Sequence, residues 1–200
     1  MENIKVRKAT RGDVNRIIQS MVRAFDDDPL INWLVSDKWR KKGFERLFKM
    51  SLNVLSMPFD EVLTTDDCAG SALWIASKDT NLGILKQLSL LPTLVGISGF
   101  KRVKRFISTL DALDKAHPKD KHYYLLFIGV DPDYRKRGIG GTLMKPVLDR
   151  CDAEGCGAYL ENTNIANEAF YKSHGFEITQ EINPGLGGPP LIGMWRKPKV

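Results

Sequence analysis

Residues 122–142 read "HYYLLFIGVDPDYRKRGIGGT", and the fold is decided where the apolar and aromatic run gives way to cations and glycines. A run so uniformly apolar has no wet face, so His122 to Val130 predicts a central strand covered on both sides. Beyond the turn, Ile139, Leu143, Met144, Val147, Leu148 and Cys151 recur at helical spacing. A strand that enters a helix this way leaves the first helical N–H groups unpaired at the positive end of the helix dipole, where anions bind. Glycines let a phosphate approach the backbone closely. The turn therefore reads as a pyrophosphate site made of Arg135, Lys136, Arg137, Gly138, Ile139, Gly140, Gly141 and Thr142. The mononucleotide fingerprint is missing its Lys-Ser or Lys-Thr, and Leu143 breaks the dinucleotide pattern, so ATP and NAD are disfavoured.

Outward from this stretch the pattern is α/β. "IKVRKA" (residues 4–9) alternates as a half-buried strand, and Val14, Ile17, Ile18, Met21, Val22 and Phe25 predict a core-facing helix that ends in Asp26, Asp27, Asp28 and Pro29. A second helix is expected over 37–57, then a hairpin of strands 61–65 and 71–76. Residues 79–117 return to helical spacing in two pieces parted by Pro92, Gly96 and Gly99, with Leu85, Leu88 and Leu91 in the first. Pro146 predicts a kink in the helix after the glycine turn. "AYLEN" is a strand, "ANEAFYKSHGF" holds a short helix capped by Gly175, and two strands fit 176–182 and 191–196.

The chain has 200 residues and a formal charge of +6, enough for one core and one domain over 1–200. Its cysteines, Cys68, Cys151 and Cys156, are odd in number and lack C-x-x-C spacing, which argues against a disulfide framework and against zinc. No metal ligand set is read. Neither a signal peptide nor an apolar run of membrane-spanning length is visible, so a cytoplasmic protein without a membrane partner is expected. "KRVKR" (101–105) reads as a solvated helix face and not as a nucleic-acid site. Oligomeric state, a homodimer included, stays open.

"LLFIGVDPDYRKRGIGGTLMKPVLD" resembles the acyl-CoA-binding segment of the GNAT superfamily of N-acetyltransferases, in which R/Q-x-x-G-x-G/A grips the pyrophosphate of coenzyme A. "NIANEAFYKSHGF" is similar to that superfamily's second segment, through Asn164, Tyr171, Gly175 and Phe176. "AFDDDPLINW" and the closing "MWRKP" also resemble the subgroup around puromycin N-acetyltransferase. The resemblance implies a mixed, mostly antiparallel sheet of about 6–7 strands with splayed central strands and helices on both faces. It implies acetyl transfer from acetyl-CoA to a primary amine of a small molecule or peptide, with 79–117 as an insertion covering the acceptor side.

By the same resemblance, Ile128, Gly129 and Val130 pair with the pantetheine arm as a further strand would, and Asn164 lies near it. Gly129 suits close approach by a ligand, or marks the bulge that splays the strand. Tyr171 takes the place of the general acid, protonating the departing thiolate. The family often puts a basic Glu where this chain has Tyr124. The base is therefore open among Glu161, His122 at the strand entrance, and Asp26 to Asp28 acting through water, with Glu161 the choice for the site. His117 and His174 show no partner pattern. The rival reading is a non-catalytic acyl-CoA sensor, kept alive by the missing Glu.

Overall fold

A computed structural model describes residues 4–59, 61–76 and 92–199. The strands are β1 (Val6–Lys8), β2 (Val62–Thr65), β3 (Gly70–Ala76), β4 (His122–Val130), β5 (Gly157–Asn162), β6 (Glu177–Ile182) and β7 (Leu191–Arg196). They form one seven-stranded sheet in the order β1-β2-β3-β4-β5-β7-β6. Every pairing is antiparallel except the central β4–β5 pair. That exception follows from the chain: β4 and β5 are joined by a helical crossover, the connection a parallel pair requires.

The helices are α1 (Val14–Ala24), α2 (Pro29–Leu34), α3 (Arg40–Met50), α4 (residues 92–98), α5 (Val103–Ala116), α6 (Ile139–Glu154) and α7 (Glu168–Ser173). They divide between the two faces of the sheet. On one, Ile17 and Met21 of α1, Leu34 of α2, Phe44 and Phe48 of α3, Ile97 of α4 and Phe106 of α5 enclose Leu73 and Phe127. On the other, Leu143, Met144 and Val147 of α6 with Tyr171 of α7 cover Trp74, Leu125, Ala158 and Leu160. β4 feeds both layers, which is why its sequence carries no polar face.

Several expectations are corrected. The Asp run does not simply end α1: Asp28 is the N-cap of a further helix, its carboxylate accepting the Ile31 amide at 2.9 Å with Pro29 in the first turn. The helix expected over 37–57 is a composite, with the 3-10 turn Asp37–Trp39 before α3 and the π turn Ser51–Ser56 after it. "KRVKR" is more than a wet face. Arg102 donates to the Val35 carbonyl and to Asp37, and Arg105 donates to the Trp33 carbonyl at 2.8 Å while stacking over that indole. These two arginines dock α5 on the C-terminal end of α2, where carbonyls lack helical partners. Pro146, where a kink is expected, stands inside α6. The expectation for Leu85, Leu88 and Leu91 lies outside the described residues. Among the described residues, no helix is long and apolar enough to cross a membrane.

Candidate active site

The central pair is joined at one end only. His122, Tyr123 and Tyr124 pair with Gly157, Ala158 and Tyr159; past that point β4 stays with β3 as far as Val130, and β5 stays with β7 as far as Asn162. The facing edges of Leu126–Val130 and Leu160–Asn162 thus part from each other. The cause lies in β4. Trp74 faces Leu125 and Leu73 faces Phe127, so Leu126 is an extra residue, and a bulge bends its strand. The bulge is at Leu126 and not at Gly129. Gly129 has another reason to be glycine: a Cβ there would lie 2.7 Å from Met21 Sδ and 3.0 Å from Ala24 Cβ, so it admits α1 against the sheet. The backbone of Ile128, Gly129 and Val130 keeps an edge toward the gap, and an extended ligand arm can add to such an edge as a strand.

The glycine turn opens onto the same gap. Gly138 sits at φ +83°, and a Cβ there would meet nothing within 4 Å among the described residues, which leaves the start of α6 uncovered. Lys136 also takes a positive φ, of 63°. Ile139 is buried beneath Gly70, and Thr142 Oγ1 donates to the Gly138 carbonyl at 3.1 Å, fixing the first turn. Gly140 and Gly141 face Phe170 of α7 and its C-cap His174, so these two glycines also let α6 and α7 close together. Arg135 is partly committed to the fold: it donates to the carbonyls of Ala24 at 2.7 Å and Val130 at 3.3 Å, tying the end of α1 to the end of β4. Arg137 donates to the Asp133 carbonyl and stacks over Tyr134. An uncovered helix N-terminus flanked by Arg135, Lys136 and Arg137, continuous with a free strand edge, fits a ligand with a pyrophosphate and a long amide arm.

At the joined end, side chains from three elements meet. Glu161, on β5 two residues past the last parallel pair, has a side chain only 5% exposed. Tyr124 Oη donates to Glu161 Oε2 at 2.6 Å, so a carboxylate from β5 stands beside the tyrosine that occupies the β4 position. Glu161 Oε1 is buried with no hydrogen-bond partner among the described residues, 4.0 Å from His117 Nδ1. His122 is buried and not a solvated strand end; its Nδ1 is 2.6 Å from the Asp120 carbonyl and its Nε2 is 3.1 Å from His117 Nε2. Burial lowers the His122 pKa and holds it neutral. Burial together with the charge of Glu161 pushes Tyr124 well above the ordinary phenol value, so Tyr124 remains a donor. His117, for which the sequence showed no partner, is part of this cluster. It comes from the C-cap of α5, and no spacing in the sequence links it to β4 or β5.

Tyr171 is buried on the α6 side, edge-on to Phe170 at 5.3 Å. Burial first, then the negative charge of Asp28, raises its pKa, so the phenol is a held proton. Asp28 accepts a hydrogen bond from the Thr163 hydroxyl, tying the α1–α2 corner to the segment after β5, and burial raises its pKa. Its neighbours differ: Asp26 is exposed and pairs with Arg40, and Asp27 is exposed. Asn164 caps the turn before α7, its Oδ1 accepting the Ala166 amide at 3.1 Å. The structure therefore gathers Glu161 and His122 in one cluster and sets Asp28 in another, beside Tyr171.

The family model described as "Acetyltransferase (GNAT) family" matches residues 54–176. An uncharacterized N-acetyltransferase of Schizosaccharomyces pombe is 28% identical over 182 residues, 85% of this chain and 73% of that protein. A Corynebacterium glutamicum structure described as histone acetyltransferase HPA2 and related acetyltransferase superposes with a TM-score of 0.72 at 22% identity, covering 98% of this chain and 97% of that one. The polyamine N-acetyltransferase of Drosophila melanogaster does so with a TM-score of 0.64 at 14% identity, covering 98% and 100%. With its parted central strands, its open glycine turn and a family match over more than half its length, the chain belongs to the GNAT family of acetyl-CoA-dependent acetyltransferases.

Proposed function

We propose that the enzyme transfers an acetyl group to the primary amine of a small molecule by direct attack, with Glu161 as the base and Tyr171 as the acid. One observation supports the choice of base: where β4 and β5 part, Glu161 holds a buried carboxylate with one oxygen anchored by Tyr124 and the other unpartnered among the described residues. Acetyl-CoA supplies the acyl group as a thioester. Ile128, Gly129 and Val130 offer the strand edge for its arm, and residues 135–142 offer the charge and amides for its pyrophosphate. Glu161 takes a proton from the incoming ammonium, directly or through one water, and frees the nitrogen lone pair. Tyr171 keeps its proton until the thiolate leaves.

The acceptor enters on the α1–α5 face. α5 spans that face from α2, through Arg102 and Arg105, to the β6–β7 loop, where Ser108 donates to the Pro184 carbonyl at 2.6 Å. α4 and α5 thus form the described part of the insertion proposed to cover the acceptor. Buried Asp28 and exposed Asp27 favour a cationic molecule.

The test is thiol release from acetyl-CoA with a panel of amines that includes tyramine, agmatine and putrescine. Turnover is expected with at least one, and Glu161→Gln and Tyr171→Phe each lower kcat by about 10²-fold or more without losing coenzyme A binding. Coenzyme A binding with no turnover of any amine would instead make the chain a sensor.

A further inference from the structure

We infer that His117 takes the proton collected by Glu161 and delivers it to solvent, and that His122 and the Asp120 carbonyl fix the tautomer that lets it do so. This rests on the reading of Glu161 as base. With both rings neutral, the chain of hydrogen bonds has one consistent assignment. A carbonyl only accepts, so His122 Nδ1, at 2.6 Å from the Asp120 carbonyl, carries a hydrogen. In the neutral ring Nε2 of His122 is then an acceptor, and the contact at 3.1 Å requires the hydrogen on His117 Nε2. Neutral His117 is left with a bare Nδ1, 4.0 Å from Glu161 Oε1, a gap the width of one bridging water.

The geometry suits transfer outward. Glu161 Oε2 is occupied by Tyr124, so a proton arriving at the carboxylate lies on Oε1, the oxygen turned to His117. The His117 ring is held edge-on by Tyr124 at 5.0 Å and Tyr159 at 5.4 Å, yet its side chain is 23% exposed whereas that of Glu161 is 5% exposed. Solvent is reached from the histidine. The titratable groups around it are Glu161 and Tyr159 from β5, His122 and Tyr124 from β4, and Asp120 from the turn before β4; Trp195 of β7 closes the far side of His122. The balance is one proton: an ammonium N–H bond breaks as Oε1–H forms, Oε1 gives that proton to one water spanning the 4.0 Å gap as the water gives one of its own to His117 Nδ1, and the imidazolium gives its proton to water or buffer. No electrons are exchanged. His117 is thus a positioning and relay residue acting through Glu161.

The experiment uses the full chain and the best amine of the panel, at low buffer concentration. His117→Ala is expected to lower kcat by about 10-fold, to move the acid limb of the pH profile, where a proton acceptor acts, and to recover with added imidazole, whereas Glu161→Gln is not rescued. Unchanged kcat and pH profile in His117→Ala beside a depressed Glu161→Gln would overturn the relay and leave the base standing. A fully active Glu161→Gln would overturn the base. Nitrogen NMR of the native chain, which has only three histidines, decides the tautomers without any variant. Hydrogen on Nδ1 of His122, and on Nε2 of neutral His117, is required, and the opposite pair sinks the assignment.

Discussion

The two halves of β4 have opposite characters. Tyr123 and Tyr124 are paired on both edges of the strand, and the side chains of His122 and Tyr124 meet Glu161, His117 and Tyr159 in a buried, aromatic-walled cluster. Past the bulge at Leu126 the strand is paired on one edge, and it runs out into a glycine turn where a Cβ on Gly138 would meet nothing within 4 Å among the described residues. Charge in the joined half is buried and fixed by neighbours; charge in the parted half sits on exposed arginines and lysine. The division separates tasks. Proton chemistry needs groups whose orientation and solvation are set by packing, and the grip on a flexible anionic carrier needs unpaired backbone that the carrier itself completes.

The largest expected effect breaks the joined half. An ideal Cβ on Gly157, the partner of His122, lies 2.0 Å from Trp195 Cζ2 with two further ring atoms within 2.6 Å. A stiff indole wedged against His122 cannot yield, so Gly157→Ala should cost about 3 kcal/mol of stability, an overpacking penalty at the upper end of the usual range. Gly129→Ala in the parted half meets the flexible Met21 thioether at 2.7 Å and should cost about half as much. Denaturant unfolding of the two variants measures both. Equal costs would mean that the two halves are packed alike.

What could be read from sequence divides along the same line. The parted half is local: strand, cations, glycines and helix follow one another within about twenty residues, and the bounds of β4 and β7 are where the hydrophobic pattern puts them. The joined half is assembled from α5, β4 and β5, so His117 carried no signal, and Glu161 was chosen over His122 and the Asp run without a geometric reason. The bulge at Leu126 was hidden in a uniformly apolar run, which shows no change of phase when one residue is inserted. α2 was missed because Pro29 after three Asp residues reads as a stop, although Asp28 as N-cap and Pro at the first position is also how a helix begins. β1 pairs over Val6–Lys8 only, since it lies at the sheet edge and has one partner.

A smaller effect tests how firmly the joined half is anchored from behind. Arg196 of β7, in register with Ala158, makes a double hydrogen bond to Asp152 of α6 at 2.7 Å, and its side chain is almost fully buried. That guanidinium holds the Asp152 pKa down at about 2. A depressed carboxyl stabilises the fold above its unfolded value of about 3.9 and loses that contribution as pH falls through about 2. Between pH 4 and 2 the native chain should therefore lose about 2 kcal/mol that Asp152→Asn does not lose, the variant being less stable at neutral pH and flatter in acid. Unfolding curves at three pH values measure the slope. Parallel slopes would show that the pair adds nothing.

The smallest expected stability change is at the glycine turn, and it sharpens the comparison most. Gly138 is at φ +83°, so alanine there meets no atom within 4 Å yet carries the left-handed backbone penalty, about 1 kcal/mol. In the joined half a methyl group acts by collision; here it acts only by conformation and by standing in front of the α6 amides. Gly138→Ala should thus fold with nearly native stability and bind coenzyme A at least about 10-fold more weakly, because the methyl and the shifted backbone both disturb the donors that a phosphate would use. Isothermal titration with coenzyme A, set beside denaturant unfolding of the same variant, separates the two quantities. A variant that loses stability without losing affinity would make the turn a structural hinge like Gly157, and the contrast between the halves of β4 would disappear.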